Sequence, residues 1–78
     1  MATAKVEREL TAQGKGCLGK AADDEPVFIL RGQDILASRL VQMWANEARL
    51  RGYPEEKVEE VLALSAAMKA WRPQKLPD

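Results

Sequence analysis

Four polar residues gathered near one turn are the chain's best candidates for chemistry. Arg31, Gln33, Asp34 and Arg39 fall within nine positions. Two guanidinium groups beside an amide and a carboxylate suit a phosphate-bearing small molecule or an acidic protein patch. The same residues also have a structural reading, in which Asp34 caps the helix that follows and Arg31 pairs with Asp23 or Asp24. Catalysis has less to draw on. General acid-base work, nucleophilic attack or metal-assisted hydrolysis calls for histidine, a paired cysteine or carboxylates converging in a pocket. The chain has no histidine and a single cysteine, Cys17. The expectation is a non-enzymatic protein with no catalytic residue, no metal ligand and no cofactor.

A second stretch invites a chemical test. In Gly14 to Lys20, GKGCLGK, the residues Gly14, Gly19 and Lys20 match the spacing of the phosphate-binding loop GxxxxGK[ST]. Position 21 is alanine, so the magnesium-binding hydroxyl is missing, and no strand precedes the loop. The glycines therefore read as a linker inside a flexible arm, residues 1 to 22.

Composition narrows the class further. The chain has 78 residues with 12 basic and 12 acidic side chains, enough for one domain and without a net field that would draw it to nucleic acid or membrane. Residues 23 to 34 carry one basic and four acidic groups, and residues 35 to 51 carry three and one. That alternation reads first as ordinary solvated faces and second as self-complementarity in an oligomer. One cysteine excludes an intramolecular disulfide, which points to a reducing cytoplasm. No apolar stretch approaches the roughly 18 residues of a membrane helix, and Met1 to Leu10 lacks the apolar centre of a secretory signal.

The elements that must position the polar cluster are mainly helical. Val27, Phe28, Ile29 and Leu30 form an unbroken apolar run between Pro26 and Gly32. The run reads either as a short extended segment or as a brief helix opened by Asp24, Glu25 and Pro26. On both readings its side chains need cover. Asp34 then caps a helix reaching about Arg51, with Leu36, Leu40, Met43, Trp44 and Ala48 at 3-4 spacing and Ala37, Val41 and Ala45 on its flank. Gly52 is the expected left-handed stop, and Pro54 opens a second helix. That helix carries Val58, Val61, Leu62, Leu64, Met68 and Trp71, with Ser65 small enough for close approach, and Pro73 ends it. The fold class is an antiparallel helical hairpin, residues 23 to 73, preceded by the connector and arm and followed by a polar tail, 74 to 78.

A hairpin this small buries little area per residue, and without a disulfide or metal it needs self-association. A dimer or higher oligomer is expected, with Phe28, Leu30, Trp44 and Trp71 as interface residues. A strand followed by two helices also suggests a ribbon-helix-helix DNA binder. Glu55, Glu56, Glu59 and Glu60 at the start of the second helix would repel phosphate, so nucleic acid is not the expected partner.

The connector DEPVFILRGQD, followed by ILASRLVQMWA, a tryptophan-bearing helix end and KLPD, resembles a group of short proteins encoded by bacteriophages and prophages. The resemblance covers roughly residues 17 to 78 and rests on the DEPxFxLRxQD motif. In that group alanine is expected where Gly32 stands and proline where Ser38 stands. The resemblance implies an accessory product in the cytoplasm of an infected bacterium that binds and inhibits or redirects a host factor, such as a defence component. The alternatives are a sponge holding a nucleotide in an oligomer cleft around Arg31 and Arg39, and a transcriptional regulator.

Overall fold

The computed structural model describes residues 2–76. Four helices follow in order: α1, Ala4–Ala12; α2, Gly16–Lys20; α3, Ala37–Leu50; and α4, Glu55–Ala70. Strands are absent from the described residues, where the only β pairing is an isolated parallel bridge between Asp34 and Lys75. Packing is pairwise, α1 with α2 and α3 with α4. The expected hairpin is present.

The arm is more regular than its three glycines suggest. Thr3 caps α1, its hydroxyl accepting from the Val6 amide at 3.3 Å. Gly14, at φ +68°, ends the helix with a paired motif in which the Lys15 amide donates to Leu10 O at 2.8 Å and the Gly14 amide to Thr11 O at 3.0 Å. Gly19 lets α2 lie directly on that corner, since a β-carbon there would stand 2.9 Å from the Gly14 carbonyl carbon. The glycines that break a long helix also allow a tight helix-helix corner.

The same closing motif ends α3. Gly52 has φ +82°, the Tyr53 amide donates to Ala48 O at 3.0 Å and the Gly52 amide to Arg49 O at 3.0 Å. Glycine tolerates this conformation because it lacks the β-carbon that would crowd the following carbonyl. Gly52→Ala is therefore expected to cost roughly 1–2 kcal/mol and to lower Tm by about 4–8 °C per kcal/mol. A thermal melt at fixed protein concentration, with unchanged Tm as the contrary result, checks this.

Across the turn, the Arg49 guanidinium grips the Glu55 carboxylate through two nitrogens, one of them Nε to Oε2 at 3.0 Å. That hydrogen bond, chiefly, holds the Glu55 carboxyl below the usual carboxylate range and raises Arg49. Because the folded carboxyl is the stronger acid, its contribution to stability is complete above the ordinary carboxylate pKa. It disappears as pH falls through the lowered folded value. Both side chains are about half exposed, so the effect is small and weakened by salt. Glu55→Gln should separate slightly from wild type in thermal melts at pH 7 and coincide with it near pH 3. A gap that widens on acidification would contradict the assignment.

Where α3 meets α4 the side chains are small. The buried residues are Ala37, Ala45 and Ala48 on α3 and Val58 and Ser65 on α4, with Val58 the largest that is fully enclosed. Ser65 Oγ donates to the backbone carbonyl of Ser38 at 2.7 Å, a contact available only when two helices approach closely. Of the expected stripe, therefore, Ala48 lies in the seam and the larger members are rotated out of it. Its alanine flank makes the contact, while Leu36, Leu40, Met43 and Trp44 keep 43–57% of their surface exposed.

Two further departures concern the connector. Residues 25–31 adopt no regular secondary structure, so the brief helix is not formed and the non-helical alternative stands, but the cover expected for the run is missing, since Val27, Phe28 and Ile29 stay exposed and only Leu30 is half-buried. Helix α3 also starts later than expected. Asp34 Oδ1 accepts from the Leu36 amide at 2.8 Å, capping a turn at Ile35 and Leu36 instead of the helix itself. The C-terminal segment runs alongside, the Ile35 amide donating to Lys75 O at 3.0 Å and the Lys75 amide to Gln33 O at 2.8 Å, so Asp34 sits in a bridge between two turns, 32–33 and 35–36, ahead of the helix.

Candidate functional site

The tail is the element that shapes the connector. Arg72 Nη1 donates to Lys69 O at 2.9 Å and Trp71 O at 2.8 Å, satisfying carbonyls at the end of α4. The chain then turns back through a cis Arg72–Pro73 peptide. Gln74 Nε2 bridges Gly32 O at 2.9 Å and Met68 O at 2.8 Å. Trp71 lies over Gly32, where an added β-carbon would meet its Cγ at 3.5 Å, an ordinary contact. The segment expected as a polar tail, 74 to 78, thus ties the connector to α4 through Gln74 and Lys75, while positions 77 and 78 lie outside the described residues.

Of the four predicted ligand residues, the fold gathers three. Arg31, Gln33 and Asp34 line an open depression of about 240 Å³ together with Phe28, Ile29 and Leu76. Arg39 lines a different groove of about 360 Å³, with Ser38, Gln42, Lys69 and Gln74. Asp34 is occupied by its own turn. The ion pairs among the described residues are Arg49–Glu55 and Arg51–Glu47, so the expected pairing of Arg31 with Asp23 or Asp24 is not formed. Within one protomer, Arg31 and Arg39 line separate surfaces.

The predicted interface residues divide as well. Phe28 is 84% exposed and Ile29 beside it 69%, with the polar side chains of Arg31, Gln33 and Asp34 at the rim of the same depression. Trp44 stands edge-on to Tyr53, ring centroids 5.9 Å apart at 76°, with about half of each surface open. Trp71 is exposed apart from its contact with Gly32. Sequence reasoning missed the contribution of Leu76 and of the tail as a whole, because Gln74 and Lys75 carry no apolar signal and act through hydrogen bonds formed only after the turn. Cys17 is exposed, and the Gly14–Lys20 segment serves as the α1–α2 corner.

What this arrangement offers chemically is an aromatic and an aliphatic side chain on a tethered, non-helical segment with a mixed-charge edge, the pattern of a protein-binding anchor. Among the described residues no helix is long and apolar enough to cross a membrane. No protein-family model matches the chain, and neither the curated proteins nor the solved structures give a match.

Proposed function

We propose that this chain is a small non-enzymatic accessory protein of a phage or prophage that self-associates and binds a bacterial host factor through its connector. The observation that carries the reading is the exposure of Phe28 and Ile29 just ahead of Gly32, where Trp71 and Gln74 fasten the connector to the end of α4. Leaving a phenylalanine 84% in water forfeits about 1.5–3 kcal/mol of burial free energy, which a partner's pocket would recover. The fastening of the chain at Gly32, four residues on from Phe28, supports this use, since it limits the backbone entropy lost on association. The two residues at which the phage motif departs also fit the backbone. A β-carbon on Gly32 makes ordinary contacts, and Ser38 sits in the first turn of α3, where proline is tolerated.

Affinity capture from bacterial lysate tests the reading. Wild type should retain a host protein in stoichiometric amount, and Phe28→Ser should weaken that retention about 30-fold or more, the size of a hot-spot loss. Equal capture by both, or no protein captured by either, would end it. A nucleotide released from the purified protein would favour the sponge reading instead. The regulator reading is disfavoured by the hydrogen bonds of Gln33 and Ile35 to Lys75, which occupy the edge that a paired ribbon would use.

A further inference from the structure

We infer that the outer face of α3 is the seat of a second copy of this chain, which packs antiparallel across a two-fold axis at Met43. This deepens the self-association part of the proposed function and is independent of the Phe28 anchor. Leu36, Leu40, Met43, Glu47 and Leu50 succeed one another at intervals of 4, 3, 4 and 3 residues, the spacing of a helix-pairing seam. They lie on the side of α3 turned away from the Ala37, Ala45 and Ala48 contact with α4. The four apolar members are 43–81% exposed.

Two observations select a second copy as the occupant. The first is area. A compact monomer of 8.7 kDa has roughly 4,700 Å² of accessible surface by the size scaling of folded proteins, and this protomer has 6457 Å². The excess is about twice the roughly 800 Å² that one partner contributes to a standard interface, part of it coming from the α1–α2 corner, which packs apart from the hairpin. A dimer therefore absorbs part of it and leaves the connector free for another protein.

The second is complementarity of the stripe with itself. A two-fold axis at Met43 brings each residue level with the one equally far on the other side. Leu36 meets the second copy's Leu50, Arg39 meets the second copy's Glu47, and Met43 meets its own equivalent. Isologous interfaces demand this self-matching, and here Arg39 finds Glu47 and Leu36 finds Leu50, while Leu40 falls level with Asn46. Within the protomer Glu47 holds only an exposed contact to Arg51 at 3.3 Å, which is readily exchanged.

Light scattering after size-exclusion chromatography should give twice the chain mass for wild type and the chain mass for Leu40→Glu/Met43→Glu with unchanged helical circular dichroism. Arg39→Glu should weaken the dimer about tenfold, and Arg39→Glu/Glu47→Arg should restore it. Should the glutamate pair unfold the chain, Met43→Cys in a Cys17→Ser background decides the matter, since it should crosslink at least tenfold faster than Phe28→Cys in the same background. A wild-type monomer would overturn both self-association and this face. A dimer unaffected by the glutamates, or equal crosslinking at the two positions, would overturn the face alone and leave host capture by Phe28 standing.

Discussion

Ala45→Leu is expected to open the hairpin and cost about 1–3 kcal/mol or more. Ala45 is fully enclosed between α3 and α4, on the side where Ser65 Oγ reaches the Ser38 carbonyl at 2.7 Å. A side chain three carbons larger fits only if the helices move apart, and separation breaks that hydrogen bond. Once withdrawn from each other, the carbonyl and hydroxyl regain water only in part, so the loss exceeds simple overpacking. A fall in Tm with increased exposure of Trp44 and Trp71 to a fluorescence quencher checks this. Full stability would mean that the seam is not close-packed.

Val58→Ala tests the same seam from the opposite direction, and about 2 kcal/mol is expected to be lost. Among the described residues Val58 is the one large side chain with essentially no exposure. Deleting its two methyl groups removes about 0.8 kcal/mol each in transfer free energy and leaves a void that the alanines opposite are too short to fill. In a domain whose total stability is on the order of 5 kcal/mol, that is a large share. Chemical denaturation should show a lower midpoint with an unchanged slope. The same truncation at Val27, 56% exposed on the connector, supplies the contrast, since its loss should be smaller. Equal losses at the two positions would refute Val58 as the centre of the interior.

The hairpin was legible because its punctuation is local. Gly52 stops α3 and Pro54 opens α4 wherever they stand in a helical pattern, as φ restrictions belong to the residue itself. The spacing of Val58, Val61, Leu62 and Ser65 likewise follows from the 3.6-residue turn. The candidate site was legible only in part. Arg31, Gln33 and Asp34 come together because they are near in sequence, whereas Arg39 leaves them because α3 starts at Ala37 and carries it round to a different groove.

The sequence by itself determined the stop of α3 at Gly52, the opening of α4 after Pro54, the hairpin they join and the exclusion of an intramolecular disulfide, since each depends on a residue's own backbone preferences or on its presence. Tertiary structure alone decided which stripe of α3 faces α4, where the tail lies and that Phe28 stays outside. Both stripes are apolar enough to be buried, and choosing between them requires comparing how closely the two backbones can approach. The alanine face won because it admits the Ser65 to Ser38 contact, and the larger stripe stays on the surface. The tail joined the connector through hydrogen bonds of Gln74 and Lys75 that span about forty residues of chain, a separation at which no local pattern carries the information.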